Sequence, residues 1–387
     1  MRILVLDTHY PESLRLTYGQ NGDLSERPFR EQLKEIYDSG FGRADSLPIN
    51  LQKLGHVTEQ FIVNAEFVQL SWARENRIRL GGTFTLSHLE RLSKRAASRF
   101  SLLADAPGVH VPSWQLKVVE AQAKSFKPDV IFVCDVLYLP AKFLRQLKRH
   151  TSLLVGEMAY PIPPNLDLRP FDLIVSAAPH YVDRLRQAGA KSELLRLGFE
   201  STILDRLNSE PKDEAIVFIG SVSKGHQQRL DLLETLCRNV SLSCWGSGAE
   251  QLPMDSPLRG RIKPPLWGYD MYRQLQRAKI ALNIHIDMAE GYAANMRLYE
   301  ATGVGTMLLT DWKTNLHEMF EIGKEVAAYR SVDECVELVQ YYLQRDDERE
   351  SMAQAGQKRT LSEHTYYQRM QELTGILERY LSGARAR

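Results

Sequence analysis

ALNIHIDMAEGYAANMRLYEATGVGTMLLTDW, residues 281–312, decides the fold. The apolar run over 280–286 predicts a buried strand, and a polar, Gly-bearing loop follows it. A short helix is expected from about Asn295 to Thr302, and the Gly303-Val304-Gly305 turn leads into a second apolar strand over 306–310. A loop delivered onto a helix N-terminus at the carboxyl end of a buried strand is an anion site. The first helical N–H groups have no internal partner and carry the positive end of the dipole. Asn295 is the expected cap, with Met296 and Arg297 in the first turn. A cation there opposes the dipole, and its presence points to an anionic ligand. Glu300, one turn on, can accept a pair of hydroxyls. A nucleoside diphosphate over this helix satisfies all of these features.

Working outward, strand and helix patterns alternate along the chain. Residues 1–7 (MRILVLD), 57–63, 130–134, 152–156, 172–176 and 193–196 read as strands, with helices between them. After a polar segment over 200–214 the alternation restarts, with strands at 215–219, 241–245, 280–286 and 306–310, and another near 325–329. This rhythm indicates βα units and parallel sheets. Two Rossmann-like domains follow, 1–205 and 212–362, with a C-terminal helix over 363–387, and the whole stretch 345–381 reads as helical, broken around Gly356 and Gly375. Thr8 to Arg27 reads as a long loop of the kind that is usually functional.

At 387 residues the chain is too long for one ordinary core. A net charge of +1 gives no electrostatic case for a nucleic-acid partner. No apolar run approaches the roughly 20 residues of a membrane span, and no leader pattern opens MRILVLDTHYP, so a cytoplasmic location is expected. Cys134, Cys237, Cys244 and Cys335 lie in apolar segments without CxxC spacing and read as buried free thiols. A basic amphipathic pattern over 85–103 reads as a solvated helix face, with weak membrane-surface contact as its alternative.

Parallel sheets bind ligands at their carboxyl strand ends. In the second half, Gly220 and Ser221 end the first strand, and Gly220 lets a ligand approach the backbone. Lys224 and Arg229 follow as candidate phosphate contacts. Turn chemistry is enough to explain the glycines of Trp245-Gly246-Ser247-Gly248. Trp267, after Pro264-Pro265, is placed either to stack on a base or to fill the core. His285 reads equally as a satisfied core histidine and as a sugar contact. No DxD motif or tight His/Asp/Glu cluster occurs, so no metal or other cofactor is expected.

Gly220-Ser221, the WGSG turn and Asn295-Met296-Arg297-Leu298-Tyr299-Glu300-Ala301-Thr302-Gly303 resemble glycosyltransferases of the group 1 type with the GT-B fold. More narrowly, they resemble the bacterial branch holding the CgeB-like spore-maturation proteins. The resemblance implies transfer of a sugar, with retention, from a nucleotide-diphosphate sugar held by the C-terminal half. The acceptor, a glycan, lipid-linked glycan or protein of bacterial surface biosynthesis, would be held by the N-terminal half. It further implies that the tail packs back on the first domain. Glu300 matches the ribose-binding second Glu of an E-x7-E motif. Tyr292 stands where the first is expected, and Glu290 or Asp287 would serve instead. For acceptor activation the candidates are Asp7 and His9, then Glu157 and His180. A nucleotide-sugar 2-epimerase, or a non-catalytic sugar-nucleotide-binding protein, shares the same architecture.

Overall fold

The computed structural model describes residues 1–80, 111–222 and 227–385. The basic stretch over 85–103 and Lys224 lie outside the described residues.

Two compact units divide the chain. The first comprises 1–176, 180–195 and 370–387, and the second 177–179 and 196–369. The first unit's sheet has the order β2-β1-β3-β4-β5-β6. Its strands are β1 (Arg2–Asp7), β2 (Val57–Ile62), β3 (Val130–Val133), β4 (Leu153–Glu157), β5 (Leu173–Ser176) and β6 (Ser192–Leu194). Every pairing is parallel, as in Val5↔Gln60 and Val5↔Phe132. Both faces are covered, so β3 reads VIFV with all four residues buried rather than alternating. Helices Ser113–Phe126 and Glu66–Glu75 supply Val118, Val119, Val68 and Trp72 to one of these cores. Lys127, in the left-handed region at φ 52°, ends the first of them.

The second unit repeats the plan with the order β12-β11-β10-β7-β8-β9. Here β7 is Glu214–Ile219, β8 Leu242–Trp245, β9 Ile262–Lys263, β10 Ala278–Asn283, β11 Met307–Asp311 and β12 Ala327–Tyr329. The unit's first strand, β7, lies beside its fourth, β10. The chain winds away from this junction in both directions, and a sheet of this order binds ligands at the carboxyl edge there. Helix Gln227–Asn239 packs on the face built from Phe218, Leu282 and Leu309. Helices Gly268–Gln276 and Arg297–Gly303 pack on the face built from Val217, Ala281 and Leu308.

Several sequence expectations need correcting. The long loop over 8–27 contains helix Pro11–Gln20 and a 3-10 turn, Leu24–Glu26. Proline at the start of the helix suits a position whose N–H has no partner anyway. The two-residue strand β9, just before Pro264-Pro265, is too short to leave a pattern in the sequence. The tail does not break at Gly356 or Gly375. Its helices are Asp346–Glu363 and Tyr366–Arg385, parted at His364-Thr365. Phe199 pins the break by accepting from Tyr366 N (2.9 Å) and donating to His364 O (2.8 Å). Within the first unit, the tail's Thr374 Oγ1 lies 2.9 Å from His56 Nε2, and Tyr380 donates to Glu193 (3.2 Å).

Candidate active site

At the β7–β10 junction the strand ends are tied together by side chains. Arg229, on helix Gln227–Asn239, is buried and donates through Nη1 to Ser221 O and through Nη2 to Ile284 O, both at 2.9 Å. Its two terminal nitrogens are thus used to hold the strand ends. Burial lowers its pKa, and the charges of Asp311 and Asp287 oppose the shift. On the other face, Arg297 Nη2 donates to Ile219 O at the end of β7 (3.2 Å), and Nη1 pairs with Glu300 Oε2 at 2.8 Å. Burial raises the Glu300 pKa, and the Arg297 charge counters it. A charge-assisted pair in so dry a position is strongly oriented.

The helix carrying this pair is shorter than expected and begins at Arg297. Met296 stands at its N-cap, without a side-chain cap. Asn295 does not cap. It exchanges hydrogen bonds with Asn283 at the end of β10 (2.7 and 3.4 Å), and Asn283 also donates to Thr310 Oγ1 (2.9 Å). The asparagine pair fixes where the 284–294 loop begins and ends.

The loops after β7 and β8 are zipped together. Gly220 N donates to Trp245 O and Val222 N to Ser247 O, each at 2.9 Å. A Cβ on Gly246 would fall 1.9 Å from Gly220 O, and one on Gly248 would fall 1.7 Å from Val222 O. Close backbone approach therefore demands these glycines, which sequence reasoning had assigned to ordinary turn chemistry. Ser221 is exposed beside this contact. Trp267 is half-buried at the N-cap of helix Gly268–Gln276, next to Leu266 and Tyr269, which pack on the core.

Three further residues hold the 284–294 loop. His285 Nδ1 lies 2.7 Å from Asp311 Oδ1, which also accepts from His285 N (3.1 Å). Lys313 Nζ pairs with Asp311 Oδ2 (3.1 Å) and donates to Glu290 O (2.9 Å). Burial pushes the Asp311 carboxyl up, but the His285 hydrogen bond and the His285 and Lys313 charges outweigh it and bring the pKa to about 2. Glu290 itself is exposed and occupies φ 51°, ψ −123°. A non-glycine residue held there stores local strain of about 1–3 kcal/mol.

In the first unit, the junction between β1 and β3 carries a second charged cluster. Arg43 Nη1 pairs with Glu157 Oε2 at 2.6 Å and Nη2 lies 3.9 Å from Asp7 Oδ1. His9 is held by Asn64, which accepts from His9 N (3.0 Å) and donates to His9 O (2.6 Å). Its ring meets Phe41 edge-on at 5.5 Å, and Phe41 meets the exposed Tyr10 at the same distance. Among the described residues the His9 Nδ1 has no hydrogen-bond partner. Burial lowers the His9 pKa; Asp7 pulls it upward and Arg43 pushes it further down. Asp7, His9 and Glu157 thus gather at one strand edge, whereas the His180 ring lies tilted against Tyr181 at 4.1 Å. Sequence reasoning missed Arg43 and Asp135. Asp135 follows β3 and accepts from Tyr160 (3.2 Å), and its place after VIFVC was the available signal. Arg43, in SGFGRAD, carried none.

Residues 228–375 match the family described as glycosyl transferase-like. No curated protein matches the chain. Among solved structures, HepE of Anabaena, in complex with UDP-glucose, is similar at 13% identity and a TM-score of 0.58, over 98% of this chain and 99% of that one. A glycosyltransferase of Rickettsia africae is similar at 12% identity and 0.57, over 98% of each chain. The sucrose-phosphate synthase of Thermosynechococcus elongatus follows at 11% and 0.56, over 99% of this chain and 100% of that one.

The fold is GT-B. Two Rossmann-like domains in tandem, each with a parallel six-stranded sheet, account for the whole described chain. Within this GT-B fold the Arg297–Glu300 pair and the Gly220–Gly246 backbone contact lie at the carboxyl edge of the second sheet. The Arg43 cluster lies at that of the first. Among the described residues no helix is long and apolar enough to cross a membrane.

Proposed function

We propose that the protein is a glycosyltransferase that takes its sugar from a nucleoside-diphosphate donor bound by the second unit. The observation that carries this reading is the buried Arg297–Glu300 pair, with Arg297 anchored on the last carbonyl of β7. A carboxylate fixed at a Rossmann junction is suited to accept both hydroxyls of a ribose, and Gly220 and Ser221 offer backbone and hydroxyl groups to a diphosphate. HepE of Anabaena, complexed with UDP-glucose, and the glycosyl transferase-like match over 228–375 support the same assignment.

Departure of the diphosphate needs positive charge and N–H donors where negative charge develops. Arg297 and Lys224 supply the cations, and no metal enters the scheme. Reaction with retention leaves the acceptor proton to the donor phosphate. Asp7 and His9 orient the acceptor hydroxyl in the first unit, and Glu290 serves the sugar in place of the acid missing at Tyr292. The acceptor belongs to a bacterial surface glycan, in keeping with the CgeB-like branch, and the reaction is cytoplasmic.

Thermal shift with UDP, GDP and dTDP tests the reading, because a ligand that binds only the folded state raises the melting temperature. At least one nucleotide should stabilise the protein, and Glu300→Gln should weaken that shift. Absence of stabilisation by all three would overturn the assignment.

A further inference from the structure

Cys237 and Cys244 lie away from the carboxyl-edge site. Cys237 sits in the last turn of helix Gln227–Asn239, and Cys244 lies on β8. The helix feeds directly into that strand, so its last turn stands at the amino edge of the second sheet, whereas Gly220 and Gly246 stand at the carboxyl edge. Both cysteines belong to the core that holds Phe218 and Leu282. The turn between helix and strand brings them together, and their thiols are hydrogen-bonded to each other.

A surface cavity of about 480 Å³ opens here, lined by Cys237, Asn239, Val240, Leu242 and Arg261, while Cys244 does not line it. Cys237, 5% exposed, is thus the outer thiol, and Cys244, 1% exposed, is the inner one. The exposed Arg261 donates through Nη1 to Cys237 O (2.7 Å), and its side chain also hydrogen-bonds the Cys237 thiol. A thiolate at the carboxyl end of a helix meets the negative end of the dipole. The guanidinium supplies the opposing charge at that place. The hydrogen bond from Cys244 lowers the Cys237 pKa, and the Arg261 charge acts in the same direction against burial. The same hydrogen bond, with burial, raises that of Cys244. One thiol is primed as a nucleophile and its neighbour keeps its proton, which is what a reactive and a resolving cysteine need.

We propose that Cys237 and Cys244 form a redox-active dithiol, in which Cys237 reacts with a hydroperoxide from the cavity side and Cys244 resolves the product to an intrachain disulfide. In the first step the Cys237 thiolate sulfur attacks one peroxide oxygen and the O–O bond breaks. The departing hydroxide takes up the proton that the thiol had released, and Cys237, oxidised by two electrons, becomes a sulfenic acid. In the second step Cys244 Sγ attacks the sulfenic sulfur and the S–O bond breaks. The Cys244 proton leaves with that hydroxide as water, and an S–S bond remains. The bond fastens helix Gln227–Asn239, which carries Arg229 near its other end, to β8, which leads into Gly246.

The test treats the full chain with hydrogen peroxide under native conditions and reads intact mass and a non-reducing peptide map. The wild type should lose two hydrogens and show a single link joining 237 and 244, which dithiothreitol reverses. Cys244→Ser should leave Cys237 as a sulfenic acid that dimedone captures, and Cys237→Ser should give neither the link nor an adduct at 244. Arg261→Gln keeps a donor for Cys237 O without the charge, and should slow oxidation of Cys237 about tenfold, the effect of one unit in thiol pKa. Absence of the 237–244 link in the native wild type, or a link that forms only in urea, overturns the proposal. Oxidation of Cys134 or Cys335 as fast as that of Cys237 also overturns it, and a rate unaltered by Arg261→Gln overturns the role of Cys237 as the primed thiol. Should a variant not fold, the wild-type map decides by itself.

Discussion

Arg297 Nη1 lies 2.8 Å from Glu300 Oε2, one helical turn along, with the two side chains only 14% and 8% exposed. The pair makes the second unit's junction sensitive to charge. Removing one partner of such a pair strands the other as an uncompensated buried charge, which costs about 3–5 kcal/mol. Arg297→Met should lose stability of that order at neutral pH. Glu300 is already raised by burial, so its folded-state value lies above its unfolded value near 4.5. A carboxyl shifted in that direction favours folding below the unfolded value and weakens it as pH rises. The deficit of Arg297→Met should therefore shrink as pH falls toward 4.5, read from urea midpoints across that range. A deficit independent of pH would remove Glu300 as its cause.

His364 makes the opposite kind of pH dependence. Its Nδ1 faces Arg369 Nη2 at 2.7 Å and its Nε2 faces Met319 O at 2.8 Å. Because arginine can only donate, Nδ1 accepts and Nε2–H donates, which leaves no place for a second proton. Burial pushes its pKa down to about 4 from 6.5. Stability from a depressed histidine is present above its unfolded value and is lost as pH falls from 6.5 to about 4. The loss amounts to about 3 kcal/mol at about 1.4 kcal/mol per unit. His364→Gln should be less stable at neutral pH and should flatten the acid limb over that window, as followed by thermal melts.

Gly246 sets the approach of two loops. A methyl group 1.9 Å from Gly220 O must push backbone aside. Gly246→Ala should cost about 1–3 kcal/mol, as overpacking does. It should also weaken the nucleotide response more than Gly260→Ala, whose Cβ meets nothing within 4 Å. Equal behaviour of the two variants in thermal shift would show that the β7 loop does not touch the nucleotide.

In the first unit, His9 has its pKa lowered by burial below the ordinary 6.5. To orient the acceptor hydroxyl by accepting a hydrogen bond from it, the ring must stay neutral at neutral pH. The acid limb of kcat/KM should then lie below 6.5. His9→Asn should reduce kcat by about 10²-fold and abolish that limb. An unchanged pH profile in the variant would leave His9 a packing residue against Phe41.

Much of the fold was legible in local sequence. Runs such as VIFV and AIVFI bury residues on both sides, so continuous apolarity announces parallel strands covered by helices. Spacing between such runs announces the two Rossmann-like halves. Glu300 and Arg297 were legible for the same reason: they lie three residues apart on one short helix, and a helix brings i and i+3 together whatever surrounds it. Asn295 pairs with Asn283 rather than capping because the same amide can do either, and only the fold decides which partner is nearer.

What the tertiary structure alone decided is which distant groups meet. His285 and Asp311 are 26 residues apart, Arg229 and Ile284 are 55 apart, and Arg43 and Glu157 are 114 apart. Nothing in their local sequence carries these pairings, because a side-chain hydrogen bond depends on position in space and the register of parallel strands sets that position. The helix break at His364 has the same origin. Glycines at 356 and 375 were tolerable inside helices, whereas Phe199 drew the chain out of helical geometry by offering backbone hydrogen bonds. Local sequence determined the elements and their order. The packing of those elements determined the site.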